Sequence, residues 1–540
     1  MLEGLVQDFQ LTLPYFLRRA EQLYGHREIV TRLPDASFHR HTYADFVSRS
    51  KKLAVALGNL GLEPGDRVGT LGWNTYQHLE AYLGVPSSGL VLHTLNPRLH
   101  EDDLAYIAGH ADDRVMLVDE TLVPVFEKFR ARTNVEHAVV MTEGGDVPDG
   151  MVSYEDLIGD SDEADFEYPD FDENQAAAMC YTSGTTGRPK GALYSHRSTV
   201  LHSMMAAMGN TFALSEADCV LPVVPMFHVN AWGLPFASVL VGAKLMMPGP
   251  HLDAASLLED LEQEEVTLTA GVPTVFLAVL QALDAEPERY DLSKLRAMVI
   301  GGSAAPKGVI KDYKRHGIEV VHAWGMTEMS PIGTVANLTT EMKKLPEEEQ
   351  LEYEAKQGYP VPFVEIRARG DEGLIPWDGE SMGELEVRGP WVASSYYEAP
   401  EGDDKFTDDG WFRTGDVVTI DRFGFIKITD RSKDLIKSGG EWISSVELEN
   451  ALMAHPAVSQ ACVIAIPHEK WDERPLAAIV LREGESATED ELHTHLEVDF
   501  ASFWLPDAYE FVEAIPMTAT GKFQKLKLRE QFEGYTSPKS

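Results

Sequence analysis

Short apolar runs that end in Gly- or Pro-containing turns, each followed by an amphipathic stretch, recur through the first two thirds of the chain. "DRVGTLGWN", "GLVLHTLNPR", "DDRVMLVDE", "VTLTAGVP", "LRAMVIGGSAAP" and "GIEVVHAWG" all have this form. The alternation predicts parallel βαβ units and hence a large α/β body. Residues 251–283 repeat it locally as a helix with an apolar face, a strand, a Gly-Pro turn and a second helix. The most membrane-like run, "AWGLPFASVLVGAKLMMPG", is interrupted by Pro235, Gly242 and Lys244, so it reads as a core helix and strand rather than a span.

From about residue 380 the texture changes. "SMGELEVRGPWVASSYYE", "GWFRTGDVVTID", "GFIKITDR" and "DLIKSGG" are short alternating strands with glycine turns, the pattern of a small β-rich subdomain. After about 430 a self-contained unit follows: a helix in "SSVELENALMAHP", strands in "VSQACVIAIP" and "RPLAAIVL", and a helix near "TEDELHTHL". The charged, glycine-flanked crossing "ITDRSKDLIKSGG" is the linker candidate.

Composition narrows the function classes. The chain has 540 residues, 44% of them hydrophobic, enough for several packed cores. Its 46 basic against 87 acidic residues leave a net charge of −41, spread along the whole length, which argues against nucleic-acid partners. Two readings of the acidity stand: an ordinary acidic cytosolic enzyme, or a protein adapted to high salt. At molar salt the Debye length is only about 3 Å, so the self-repulsion would cost little there. Cys180, Cys219 and Cys462 are far apart without a CxxC pair, which fits a reducing compartment and no disulfide framework. With acidic Glu3 and Asp8 where a signal peptide would be basic, the expectation is a soluble, cytoplasmic protein.

Candidate chemistry begins at "YTSGTTGRPKG", residues 181–191. Glycines let backbone N–H groups approach an anion, and Thr182, Ser183, Thr185 and Thr186 add hydroxyl donors. A Walker loop is excluded: Gly184 and Gly187 are three apart, and Arg188 and Pro189 separate Gly187 from Lys190. The loop looks made to hold a polyphosphate, either to present a γ-phosphate for transfer or to hold pyrophosphate as a leaving group.

"YTSGTTGRPKGALYSH", "GGSAAP", "WGMTEMSP", "GWFRTGD", "KDLIKSGGEWIS" and "TATGK" occur in the order and approximate spacing of the adenylate-forming acyl-CoA synthetase superfamily. The resemblance covers nearly the whole chain, and "PVVPMFHVNAW", "LHTLNPR" and "IKSGGEWISSVELENAL" look most like its medium- to long-chain fatty acyl-CoA synthetases. It implies an α/β fold: a large multi-subdomain N-terminal body, residues 1–429, with a small β-rich subdomain, and a smaller mobile C-terminal α+β domain, residues 430–540, hinged near Asp430. It implies ATP and CoA as substrates, Mg²⁺ as cofactor, a fatty acid as acyl donor and a homodimer through the N-terminal body. The competing readings are adenylation of another acid such as an aryl acid, transfer to another acceptor such as a carrier protein, luciferase-type oxidation, and a non-catalytic acyl- or nucleotide-binding protein.

The same resemblance implies roles residue by residue. Thr182, Ser183, Gly184, Thr185, Thr186, Gly187 and Lys190 would steady the leaving pyrophosphate, Glu328 and Thr182 would hold Mg²⁺, and Thr327 would touch the α-phosphate. Gly302, His322, Ala323 and Trp324 would line the adenine, with Trp324 replacing the usual tyrosine. Asp416 would take the ribose hydroxyls, with Arg431, Lys433 and Lys437 as further nucleotide contacts. Lys522 would be the catalytic lysine, and Met517 departs from the basic residue usual nearby. His228, Val229 and Trp232 would flank the acyl pocket with Trp232 as its gate. Trp442 would be the gate's partner on the mobile side, and Gly439 and Gly440 would line the thiol route of the CoA arm after domain rotation.

Overall fold

The computed structural model describes all residues except 1, 3, 145–146, 183–187, 432, 439–440, 469, 518–522 and 536–540. Among the described residues two large sheets form the body. The seven-stranded sheet runs, in spatial order, Val152–Ser153, His137–Met141, Asp113–Asp119, Arg67–Leu71, Val91–Thr94, Ala176–Tyr181 and Gly191–Ser195. All its pairings are parallel except the last, an antiparallel pair whose connection is the glycine-rich stretch. The next regular element after Lys190 is thus a strand, where a Walker loop would lead into a helix.

The nine-stranded sheet has a parallel centre of Glu28–Arg32, Lys244–Met247, Cys219–Pro222, Leu268–Gly271, Ala297–Ile300 and Val320–Gly325. Antiparallel strands flank it, Phe38–Thr42 at one edge and Ile332–Val335 followed by Tyr359–Pro360 at the other. The central strands are apolar on both faces because helices cover both. Helix starts follow their capping chemistry: Thr42 and Asp45 form a reciprocal capping box before Tyr43–Asn59, as do Ser195 and Ser198 before His196–Ala207. The run at 231–249 becomes the helix Leu234–Val241 and the strand Lys244–Met247, as its interruptions predict, and among the described residues no helix is long and apolar enough to cross a membrane.

The third sheet, antiparallel, contains Glu365–Gly370, Gly373–Leu374, Gly383–Arg388, Phe412–Ile420 and Ile426–Arg431. A fourth, built from Ile436–Ser438, Glu441–Ile443, Val458–His468, Asp472–Leu481 and Ala508–Phe511, carries the helices Ser445–Met453 and Glu489–Glu497. Its apolar clusters, centred on Leu448, Val463 and Ile479 and on Cys462 and Leu476, are its own.

Asn74, 3% exposed, joins the two large sheets. Its amide donates to Pro222 O at 2.7 Å and Val224 O at 3.0 Å, and its carbonyl accepts from Met226 N at 2.6 Å. Leaving any of these buried groups unpaired would cost about 1–3 kcal/mol, so the chain leaving the strand Cys219–Pro222 has a fixed exit.

Burial pushes His78 and His196 down to about 4 and His41 and His202 down to about 3. The unfolded chain protonates them near 6.5, so the stability they contribute is complete above that pH and is lost as pH falls toward 4. We expect the unfolding free energy from urea titration, and with it the midpoint, to drop across this window with a slope approaching four protons, about 5 kcal/mol per pH unit. A midpoint that stays level between pH 7 and 5 would contradict this.

Candidate functional site

The candidate residues collect where the parallel strands of both large sheets end, the edge at which open α/β sheets place ligands. Thr182 follows Ala176–Tyr181, Gly301 and Gly302 follow Ala297–Ile300, Trp324 lies near the end of Val320–Gly325, and residues 226–233 follow Cys219–Pro222. Gly302 adopts φ +85°, a left-handed conformation that a side chain would strain.

The hairpin connection closes on itself at its base. Thr182 N donates to Lys190 O at 2.9 Å, and Lys190 N donates to Thr182 Oγ1 at 3.1 Å. Lys190 Nζ lies 5.1 Å from the centre of the Tyr396 ring, a cation–π arrangement. The hydroxyl of Tyr396 donates to Glu328 Oε1 at 2.6 Å, so one tyrosine links the loop's lysine to the carboxylate of the "WGMTEMSP" stretch. Glu328 is 6% exposed and its backbone carbonyl accepts from Ala393 N at 2.7 Å. Tyr194 donates to Thr327 O at 2.6 Å and fixes the neighbouring residue.

Asp416 is 2% exposed, and its two oxygens have different partners. Oδ2 accepts from the indole N–H of Trp324 at 3.0 Å, and Oδ1 pairs with Arg431 Nε at 2.7 Å. Arg431 is the cross-strand partner of Asp416 in the antiparallel sheet, so the register itself supplies the counter-charge. The indole N–H, which cannot accept a hydrogen bond as a phenol could, is used as a donor to this carboxylate.

Beyond the strand Cys219–Pro222 the chain turns left-handed over five consecutive residues, Val229, Asn230, Ala231, Trp232 and Gly233, with φ between 45° and 73°. For residues with a Cβ this costs roughly 1–2 kcal/mol each. Part of the compensation is visible: the Cys180 thiol donates to Asn230 Oδ1 at 3.1 Å, and Asn230 is 4% exposed. The turn presses the Trp232 indole against the strand end at Gly301, where an added Cβ would lie 3.1 Å from the ring and 2.9 Å from Ala323 O. His228 and Val229 lie in the same stretch.

Thr182, Lys190, Thr327 and Glu328 are therefore brought together, as are Trp324, Asp416 and Arg431, with Trp232 beside Gly301. His322, 1% exposed, directs Nδ1 to the Ala355 carbonyl at 3.1 Å, and Ala323 offers its backbone to the Gly301 side. Burial pushes the Lys433 ammonium below its ordinary value. Lys437 and Trp442 pair with each other across a hairpin of the fourth sheet, Nζ 5.1 Å from the ring centre. Ser183, Gly184, Thr185, Thr186, Gly187, Gly439, Gly440 and Lys522 lie outside the described residues. Tyr396, Tyr194 and Asn230 were missed by sequence reasoning; Tyr396 sits in "SSYYE", which reads as one more alternating strand.

Residues 16–397 match the AMP-binding enzyme family, and residues 447–522 match the AMP-binding enzyme C-terminal domain. The chain belongs to the AMP-binding enzyme family. A long-chain-fatty-acid–CoA ligase of Thermus thermophilus is 50% identical over 98% of this chain and 97% of its own. A medium-chain-fatty-acid–CoA ligase of Ectopseudomonas oleovorans is 44% identical over 98% and 97%. Among solved structures, the anthranilate CoA ligase AuaEII in complex with anthranoyl-AMP superposes with a TM-score of 0.85 at 26% identity, covering 97% of this chain and 98% of that one. The α/β body and the smaller C-terminal domain of this AMP-binding enzyme thus match the architecture its motifs imply.

None of the three cysteines of this AMP-binding enzyme is set up as a nucleophile. Burial pushes the Cys180 thiol up to about 11 and Cys219 to about 12, and raises Cys462 as well. All three should resist iodoacetamide at pH 8 in the native protein and react after unfolding in urea, read by mass spectrometry. Fast native labelling of Cys180 would contradict its placement.

Proposed function

We propose that this chain is an ATP-dependent fatty acid–CoA ligase. A carboxylate oxygen of the fatty acid attacks the α-phosphorus of ATP, the bond to the β-phosphate breaks, and pyrophosphate leaves. The thiol of CoA then attacks the acyl carbon and AMP departs. The observation that carries the reading is the Trp324–Asp416–Arg431 cluster beside the glycine-rich hairpin and Glu328. It offers an aromatic face and a buried two-oxygen acceptor, the chemistry of adenine and of vicinal ribose hydroxyls. The relatives named as fatty-acid–CoA ligases at 50% and 44% identity over nearly the whole chain favour a fatty acid over an aryl acid.

In this reading Lys190 clamps the leaving pyrophosphate, and Thr327 meets the α-phosphate. Glu328 and Thr182 fit Mg²⁺, which prefers few protein oxygens completed by phosphate oxygens and water; when bound it offsets the charge of the phosphates. Among the described residues no cluster of three or more acidic, His or Cys side chains could hold a metal by itself, so the ion would arrive with the nucleotide. Lys522 would bridge the attacking carboxylate and the α-phosphate, stabilising charge that grows in the transition state. Residues 430–540 would then rotate about Asp430, withdraw Lys522 and bring Gly439, Gly440 and Trp442 to the thiol route. Lys433 and Lys437 travel with that unit. The exposed apolar side chains Leu5, Val6 and Phe9 support pairing of two copies through the N-terminal body; a monomer mass by light scattering at micromolar concentration would remove that part.

The test is release of AMP and pyrophosphate across carboxylic acids of two to eighteen carbons, with CoA or hydroxylamine as acceptor, in molar and in dilute salt. AMP formed in step with acyl-CoA from medium or long chains is expected. ATP binding without adenylate from any acid would favour a non-catalytic binding protein. High activity only in molar salt would support the halophilic reading of the charge, and full activity in dilute buffer would count against it.

Trp232 supplies a separate check of the acyl side. Trp232→Ala removes the ring packed on Gly301 and should change the chain-length profile, raising KM for the preferred acid about tenfold while KM for ATP moves less than about threefold. An unchanged profile with unchanged activity would sink the gate assignment.

A further inference from the structure

Lys525 stands three residues after Lys522 in the chain. It opens the helix Lys525–Gln531, and only 11% of its side chain is exposed. Its ammonium lies 2.7 Å from Glu449 Oε1 on the helix Ser445–Met453, and it also donates to Ser445 Oγ. Ser445 donates its hydroxyl and its backbone N–H to Asp430 Oδ2, the latter at 2.7 Å. The remaining oxygen of Asp430 accepts from Arg431 N at 2.7 Å.

Asp430 therefore has a divided allegiance. Its backbone pairs with Val417 in the antiparallel sheet of the body, while its side chain caps a helix of the C-terminal unit. Burial raises both Asp430 and Glu449, and the nearby Lys525 opposes the rise. Burial alone would lower Lys525, but Glu449 and Asp430 outweigh it and hold the ammonium above the ordinary lysine value. Enclosing three ionisable groups is a poor route to stability compared with apolar packing, so a cluster of this kind is better explained by the arrangement it enforces.

That arrangement reaches the segment that carries Lys522. Phe523 bridges back to Met517, and Gln524 N donates to Pro516 O at 2.8 Å. Both flanks of residues 518–522 are thus joined directly before Lys525. A second tie, Arg529 to Asp434 at 2.6 Å, fastens the same helix to the chain just beyond the hinge residue.

Resting on the roles given above to Lys522 and Asp430, the geometry points to Lys525 as a positioning residue of the adenylation half-reaction. Its contacts with Glu449 and Ser445, and through Ser445 with Asp430, tie the joined flanks of residues 518–522 to the hinge residue. Lys525 touches no substrate in this account and acts only through Lys522.

Full-length Lys525→Met should lower kcat for pyrophosphate exchange about 100-fold, the scale expected when a catalytic group is misplaced by an ångström. KM for ATP should stay within about threefold, and so should conversion of presynthesised acyl-adenylate with CoA. Lys525→Arg should recover exchange to within about tenfold of wild type. Because Lys525→Met leaves the Glu449 carboxylate with the Val463 N–H but without its counter-charge, Lys525→Met/Glu449→Gln is measured beside it and should melt close to wild type yet remain deficient in exchange. Wild-type exchange in either Met variant overturns the inference, as does an equal fall of both half-reactions in the well-folded double variant. Lys522→Ala separates the two levels. If it loses exchange while Lys525→Met keeps it, only the Lys525 inference fails; if it keeps exchange, the reading of Lys522 fails and takes this inference with it.

Discussion

A buried carboxylate is costly unless its oxygens find partners, and Asp416 has a partner on each oxygen. Trp324 N–H and Arg431 divide its two oxygens. Those partners come from the large parallel sheet and from the antiparallel sheet, so one buried charge requires that both sheets sit in register. Arg431 is next in sequence to Asp430, whose side chain belongs to the C-terminal unit. The proposed nucleotide-facing surface, the antiparallel sheet and the proposed hinge thus meet within two residues of chain.

The net charge of −41 gives this local pairing its importance. The global field opposes ATP, CoA and a fatty-acid anion alike, and at moderate ionic strength screening removes only its long-range part. On the proposed function, binding would then depend on short-range groups: backbone N–H donors, Lys190 held over the Tyr396 ring, and the guanidinium of Arg431. Tyr396 has a specific consequence here. By donating to Glu328 it holds that carboxylate in one orientation, and its ring faces the lysine cation, so the opposite charges of Lys190 and Glu328 are kept apart by one phenol rather than collapsing into a salt bridge.

Much of the architecture is legible along the chain because buried parallel strands are nearly continuous apolar runs. Asp113–Asp119, with its run Val-Met-Leu-Val, and Ala297–Ile300 are apolar enough to declare themselves. The alternating segments from residue 380 to Arg431 likewise join the antiparallel sheet, which begins earlier, at Glu365; the strand of "DLIKSGG", Ile436–Ser438, belongs instead to the fourth sheet, because it pairs with Glu441–Ile443 and Asp472–Leu481. The phosphate loop, Glu328 and Asp416 are legible because their motifs concentrate glycine, threonine and acid at fixed spacing. What escapes is pairing over distance. Nothing near Trp324 announces Asp416, 92 residues on, and nothing in "SSYYE" tells which tyrosine turns inward to Glu328. The left-handed run at 229–233 is equally silent: Asn230 and Gly233 tolerate it, but Val229 and Trp232 argue against it, and tertiary packing overrides their preference.

The left-handed turn and the Asp430 cluster share a physical character. Each is a local arrangement that the chain would not adopt alone: one because of backbone sterics, the other because of desolvated charge. Each is held by contacts from a different element, Cys180 and Gly301 for the turn, Glu449 and Lys525 for the hinge. Elements of this kind respond in steps, because releasing a single contact removes the reason for the whole conformation. On the proposed function, the acyl turn lies next to the loop strand and the hinge lies next to the ribose carboxylate. Occupation of the nucleotide site would then bear on both at once, through Cys180 on one side and Arg431 on the other. Two half-reactions could in that way share one set of strand ends, with the change between them concentrated in two small strained elements and the sheets left unaltered.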